Sequence, residues 1–208
     1  HFGEGLRIPP LRVWSRGVLQ RDVARFIVGN TRAPQDNASD LNAQAEATRV
    51  CEREVLRLVG RYSREVVTRA FEEVISHATG LLRARVAELP DGTWTTTDFL
   101  DSDPALGEGM VPVQVSLTIE GSRLKYDLSG SGPAVSTFMN STYGATLSGL
   151  LAGTKHFFPE VPVNAGLYRA IDVELGPPGT VVNASWPTAV SGFVSGVFEK
   201  LVNALFEL

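Results

Sequence analysis

The sequence has a single cysteine, Cys51, and therefore no internal disulfide. One thiol in a chain of 208 residues suits a reducing compartment, and the expected location is the cytoplasm. Cys51 sits in a helical apolar pattern, which predicts a small buried hydrophobe. No run of 18 apolar residues is present, so there is no candidate membrane span, and no leader pattern opens the chain. Basic residues do not cluster. With 19 Lys and Arg against 23 Asp and Glu, the net charge is -4, which argues against a nucleic-acid partner. The three histidines, His1, His77 and His156, lie at no ligand spacing from one another or from Cys51. CxxC, HExxH and DxDxDG motifs are missing, so no metal site is expected from this chain's own residues. A P-loop, a GxGxxG turn and a GxSxG elbow are absent as well.

What is present is ordinary globular material, 43% apolar and 20% charged. A chain of this size can bury roughly 70% of its unfolded surface without staples. Residues 1–17 read as an extended loop held by Pro9 and Pro10. A short helix over 19–28 ends at Gly29-Asn30, and "NTRAPQDNAS" reads as a loop. A long helix capped by Ser39 or Asp40 and ended by Gly60 follows. Ser63 caps a second helix, with the stripe Val66, Val67, Ala70, Phe71, Val74, Ile75, Ala78, Leu81, Leu82 and Val86. The short link predicts a long antiparallel helix pair. The period then changes. "TWTTTDFLD" is β-rich, and Val113, Val115, Leu117 and Ile119 alternate with polar residues. Leu124, Tyr126 and Leu128 alternate again after the turn Gly121-Ser122. "TYGATLSGLLAGTKHF" reads as a helix, "LYRAIDVEL" and "TVVNASWP" as strands, and residues 193–206 as a last helix. The expected fold class is α+β: the antiparallel helix pair, then a largely antiparallel sheet with further packed helices. The helical part spans about 18–89 and the sheet-containing part about 90–208. The stripe of the last helix stops at Leu208 with no terminator, and His1 is no initiator. Both features predict a piece of a longer polypeptide.

Several polar groups are candidates for chemistry. Asp40 and Gln44 share one helix face. With Asn30 and Arg32 just before them, they form either a helix cap or a ligand-facing cluster. Asn140, Asn164 and Asn183 make Asx-turns or present amides to a ligand. Arg169, close after Asn164, adds a guanidinium donor for a carbonyl or carboxylate. "SGSGPA" over Ser129–Ala134 is either a strand-exit turn or a set of amides facing a ligand oxygen.

In order along the chain, "EGLRIPP", "NTRAP", "SDLNAQ", "LPDGTW", "YDLSGSGPA", "NAGLYRAIDV" and "WPTAVSG" resemble the motifs of the hydantoinase B/5-oxoprolinase family. That family includes N-methylhydantoinase B-type chains and the related acetone carboxylase subunit. Ser39 replaces a usual Gly, and Ala170 stands where Pro is common. The resemblance implies part of the B-type subunit or domain of an ATP-dependent cyclic-amide hydrolase. Such a chain acts on an intermediate activated by a hydantoinase A-type partner, within an oligomer. ATP belongs to the partner, and a divalent metal to a segment upstream of the "EGLRIPP" loop. The alternative is a scaffold of a related ATP-dependent carboxylase, with no activity in this stretch alone. On the hydrolase reading, the candidate catalytic residues are Glu4, Arg7 and Asp40. Asn30, Arg32, Gln44, Asn140, Asn164 and Arg169 are candidates for binding the small cyclic amide, and all are expected to line one cleft.

Overall fold

The computed structural model describes residues 7–101 and 109–208. They divide into two compact units, one ending at Ala70 and one running Phe71–Leu208. The division falls inside a helix, where composition alone separates helices from strands near residue 89.

In the first unit, Trp14–Ser15 (β1) pairs antiparallel with Val18–Leu19 (β2). The turn between them, Arg16-Gly17, has φ of 50° and 79°. Two left-handed residues match the twist of a two-residue hairpin. This hairpin lies where the sequence reads as extended loop, because Arg gives no turn signal. Helix α1 (Arg21–Gly29) ends at Asn30 as expected. Helix α2 (Pro34–Tyr62) starts earlier than the sequence suggests, with Pro34 in its first turn. Proline is suited to that place, since its missing N–H would be unpaired there anyway. Ser39 and Asp40 therefore lie inside the helix and do not cap it. Ser39 Oγ donates back to the Gln35 carbonyl at 3.1 Å. Gly60 is also internal, and the break comes at Ser63, with φ 76°. No residue of α2 is buried. Its apolar positions Leu41, Ala45, Val55, Leu58 and Val59 are half-buried. Cys51 is exposed rather than buried.

Helix α3 (Arg64–Val86) begins at Ser63, whose Oγ accepts from the Val66 N–H at 3.5 Å. In the second unit its later turns bury Ala78, Leu82 and Val86 in the core. Four strands follow: β3 (Gly92–Leu100), β4 (Val111–Glu120), β5 (Arg123–Asp127) and β6 (Ile171–Glu174). They stand in that spatial order, antiparallel except for the parallel pair β5–β6. The α+β class and the largely antiparallel sheet are as expected. A parallel last strand needs a long crossover, which holds helices α4 (Tyr143–Phe157) and α5 (Ala165–Arg169). "LYRAIDVEL" is thus helix and then strand, and "TVVNASWP" makes only isolated bridges at Thr180. Its backbone bonds go elsewhere: Val181 N–H donates to Gly132 O and Ala184 N–H to Ser141 O.

The sheet is two-sided in chemistry. One face carries Leu100, Val111, Val113, Val115, Ile119, Leu124 and Tyr126, all buried. The other carries hydroxyl pairs, Thr93 with Thr118 at 3.1 Å and Thr95 with Ser116 at 2.8 Å. Helix α6 (Val197–Glu207) lies against β3, β4 and α4. It buries Val197, Leu201, Ala204 and Leu205. Gly149 and Gly153 on α4 let it approach. A Cβ at Gly149 would lie 3.3 Å from Leu201 Cδ1, and one at Gly153 would overlap the Leu205 side chain.

Gly153→Val should therefore cost about 1–3 kcal/mol by overpacking. Gly80, exposed within α3 with nothing near its missing Cβ, gives the opposite expectation. Gly80→Ala should stabilise by roughly 0.5–1 kcal/mol through helix propensity. Urea unfolding midpoints of the two variants should move in opposite directions from the parent.

Candidate functional site

Glu4 lies outside the described residues. Arg7 begins them and is exposed. Asn30, at the end of α1, donates from Nδ2 to the Phe26 carbonyl at 2.6 Å, so it acts as a helix C-cap. Arg32 is exposed in the link to α2. Asp40 and Gln44 are one turn apart on α2, both exposed and on one face as expected.

Gln44 borders a groove of about 600 Å³ within the first unit. One wall is the segment Leu11–Gly17, which carries the β1–β2 hairpin. The other is a face of α2 made by Leu41, Gln44, Ala45 and Thr48. That i, i+3, i+4, i+7 spacing is the one that lines a helix face. Trp14, half-buried, and Leu11 supply apolar surface, and Arg12 and Arg49 sit on the same groove. Sequence reasoning misses Trp14 and Arg12. Their signal is weak, because a lone aromatic beside a turn carries no motif.

Three other candidates lie in the second unit and are engaged in its structure. Asn140 is fully buried. Its Oδ1 accepts from Val135 N–H at 2.7 Å, and its Nδ2 contacts the carbonyls of Val135, Thr137 and Ala189 at 2.9, 2.9 and 3.0 Å. That clamp closes the irregular chain at 135–140 on itself and ties it to Ala189. Asn164 caps α5, accepting from Gly166 N–H at 2.7 Å, and its Nδ2 reaches Val74 O on α3 at 3.4 Å. Arg169 pairs with Glu72 on α3 at 3.2 Å. Between them, Thr79 Oγ1 donates to Gly166 O at 3.0 Å. A Cβ at Gly166 would overlap the Ile75 carbonyl, so only glycine permits this approach of α5 to α3.

Asn183 Nδ2 donates to Gly176 O at 3.0 Å. The "SGSGPA" segment is a packed turn. Ser129 N–H donates to Asp127 Oδ1, Ser131 N–H to Leu128 O and Gly132 N–H to Pro112 O. These amides are occupied inside the protein, which favours the strand-exit reading. The Ser129 hydroxyl, at 2.6 Å, is the main reason the Asp127 carboxyl is held below the usual carboxylate range. In "LPDGTW", Asp91 Oδ1 accepts from Gly121 N–H at 2.8 Å and so anchors the β4–β5 turn.

A second cavity, of about 450 Å³, opens on the apolar sheet face beside Trp94, Leu117, Tyr126, Phe158 and Leu205. Burial pushes the Tyr126 hydroxyl up to about 12, and it is hydrogen-bonded to Thr154 at 2.9 Å. It is no acid or base near neutral pH. Among the described residues no group of three or more His, Cys, Asp or Glu side chains is placed to hold a metal ion. The divalent metal that the family resemblance implies is expected upstream of the "EGLRIPP" loop, outside these residues.

The family model for hydantoinase B/oxoprolinase matches residues 1–208. The chain belongs to that family. It is 36% identical over 207 residues to the beta subunit of the caprolactamase of Pseudomonas jessenii, covering 98% of this chain and 35% of that protein. It is 30% identical over 225 residues to the B subunit of a putative D-/L-hydantoinase of Pseudomonas sp. strain NS671, covering 100% of this chain and 37% of that one. Its fold matches the crystal structure of ATP-dependent caprolactamase from Pseudomonas jessenii. The TM-score is 0.87 and the identity 35%, over 98% of this chain and 35% of that one. The chain spans about a third of the length of these relatives. No helix of the described residues is long and apolar enough to cross a membrane.

Two measurements follow from the structural roles. Asn140→Ala leaves a buried N–H and three carbonyls without their partner and should cost about 3 kcal/mol or more, read by denaturant unfolding. Asp127 has its folded pKa depressed, so its contribution is present above the unfolded value and fades as pH falls through the folded one. The stability difference between parent and Asp127→Asn should shrink on acidification; a difference that grows would contradict the assignment.

Proposed function

We propose that the chain is part of the B-type subunit or domain of an ATP-dependent cyclic-amide hydrolase. It acts on an intermediate activated by a hydantoinase A-type partner. The observation that carries this reading is the likeness to the caprolactamase beta subunit along 98% of the chain, in sequence and in fold. Chemistry explains the division of labour. An unstrained lactam is a poor electrophile, because its nitrogen donates into the carbonyl. Phosphorylation of the enol-type oxygen by the partner gives a much better one. Fixed amide and guanidinium donors then stabilise the charge that develops on attack.

In this proposal Arg7 and Arg32 are the anion-binding groups, since a planar guanidinium suits phosphate and carboxylate oxygens, and Arg169, paired with Glu72, acts through the α5–α3 contact that it holds. Asp40 or Glu4 acts as acid or base or orients a water. Gln44 and Asn30 supply neutral hydrogen bonds to the ring amide. Asn140 and Asn164 act from further back, through the loops that they hold. The substrates are small cyclic amides, and the working protein is an assembly in the cytoplasm.

The test uses the complete parent protein with its partner, and ε-caprolactam or hydantoin as substrate. Arg7→Gln and Asp40→Asn should lower ATP-dependent ring opening by roughly 10²–10³, with thermal unfolding unchanged. Parent-like turnover in both variants would remove these residues from the site. Failure of the assembled protein to open any cyclic amide with ATP would sink the hydrolase reading.

A further inference from the structure

The groove beside α2 has a composition that fits one chemical feature of cyclic amides. Leu11, Trp14, Leu41 and Ala45 make its apolar surface, and Gln44 and Arg12 stand on it. Neither the Gln44 amide nor the Arg12 guanidinium has a hydrogen bond or ion pair among the described residues. Their neighbours are less available. Arg49 is paired with Glu46, and Thr48 donates to the Ala45 carbonyl at 2.7 Å. The groove thus presents one open carboxamide, one open cation and, at its α2 edge, the open carboxylate of Glu52, beside an aromatic and aliphatic floor.

We infer that this groove is the subsite that reads the ring amide, with Gln44 as the specificity-determining group and Trp14 as the platform for the ring. This rests on the cyclic-amide reading above and adds to it where the amide and ring are recognised. A small lactam ring forces its amide cis, so the C=O and N–H project from the same edge. A primary carboxamide projects its C=O and N–H in the same way. The two edges pair through two hydrogen bonds, with Gln44 Nε2 donating to the lactam oxygen and Gln44 Oε1 accepting from the lactam N–H. An open-chain trans amide places those groups on opposite sides and makes only one bond. The methylenes of the ring then lie over Trp14 and against Leu11 and Leu41, where burial of apolar surface is favourable. The Gln44 pairing belongs to the lactam before activation; once its oxygen carries phosphate the ring nitrogen has lost its proton and accepts from Gln44 Nε2, and Arg12, the open cation, attracts the phosphate. The three residues come from two elements: the hairpin segment carries Arg12 and Trp14, and α2 carries Gln44.

The experiment is calorimetric titration, without ATP, of the complete parent protein and its partner. The probes are 2-piperidone and N-methyl-2-piperidone, which differ in the N–H that Gln44 would accept. The parent should bind 2-piperidone about tenfold more tightly than its N-methyl derivative. Gln44→Leu, a change on an exposed helix face, should erase that preference, weakening 2-piperidone, which loses two hydrogen bonds, more than the N-methyl compound, which loses only the one to its carbonyl. Trp14→Ala should weaken both probes and Trp14→Phe should recover most of the loss. Should Gln44→Leu keep the parent's preference, the inference is overturned, even if the assembled protein opens lactams with ATP. Should the preference vanish in Gln44→Leu while no cyclic amide is ever opened with ATP, the subsite stands and the hydrolase reading falls.

Discussion

Burial of the apolar face of β4 is the constraint on which the larger unit depends. Val113 and Val115 are fully buried, and β4 is hydrogen-bonded on both sides, to β3 and to β5. A sheet with one apolar face has to be covered on that side and only there. Helix α6 supplies much of the cover and α4 holds α6 in place. The close approach of these helices depends on Gly149 and Gly153, because any larger residue would push Leu201 and Leu205 off the sheet. The polar face can remain wet because its hydroxyls pair across the strands. The sheet's topology follows from the same cover. The chain must leave β5, lay down α4, and return as β6 in parallel.

Around this core, the family's polar motifs divide into two kinds. In the unit running Phe71–Leu208 they are ties. Asp91 anchors a hairpin turn, Asn140 clamps irregular chain, and Asn164 with Arg169 holds α5 to α3. Such a framework sets where loops lie without touching a ligand itself. The Arg169–Glu72 pair is exposed and adds little to stability, about 0–1 kcal/mol. The buried Asn140 clamp is the stronger element, since each of its partners would otherwise be an unpaired polar group away from water. In the unit ending at Ala70, Asn30 and Ser39 bond to backbone carbonyls, but Asp40 and Gln44 are open. Gln44 faces a groove, Asp40 shares its side of α2, and Arg12 stands nearby with no partner among the described residues. Open polar groups over apolar floor are the usual makings of a small-molecule site. Proposals about chemistry therefore lean on the smaller unit, and proposals about architecture on the larger.

Much of the fold is legible in the residue pattern. The alternation of Val113, Val115 and Ile119 marks a half-buried strand, and Gly121 at positive φ makes the tight turn that the dipeptide suggests. The misreadings have separate causes. Pro34 reads as a loop former, although proline is equally at home in the first turn of a helix. "TVVNASWP" has the β-branched residues of a strand, yet Val181 and Val182 are buried by irregular chain bonded to Gly132 and Ser141. Cys51 sits in a stripe that looks like a core face, yet it is exposed, while Leu41, Val55 and Leu58 of the same helix are half-buried. Periodicity reports which side of a helix is apolar; it does not report what lies against it. Among site residues, Asp40 and Gln44 are visible because a one-turn spacing places them together on any helix. Trp14 and Arg12 are not, since they reach the same groove only through a hairpin that no residue pair announces.

The sequence by itself determined the order and kind of most elements, the apolar face of each strand, and membership of a family through motifs in order. These are local properties, set by period, by turn chemistry and by the residues themselves. Only the tertiary structure decided which polar residues are occupied and which are open. Asn140 and Gln44 look alike in a sequence, each a neutral amide near an element end. One is enclosed by backbone groups brought from residue 189, the other is left facing a groove built from residue 14. Whether an amide is a tie or a reader depends on what the folded chain brings within hydrogen-bonding distance, and sequence distance does not encode that.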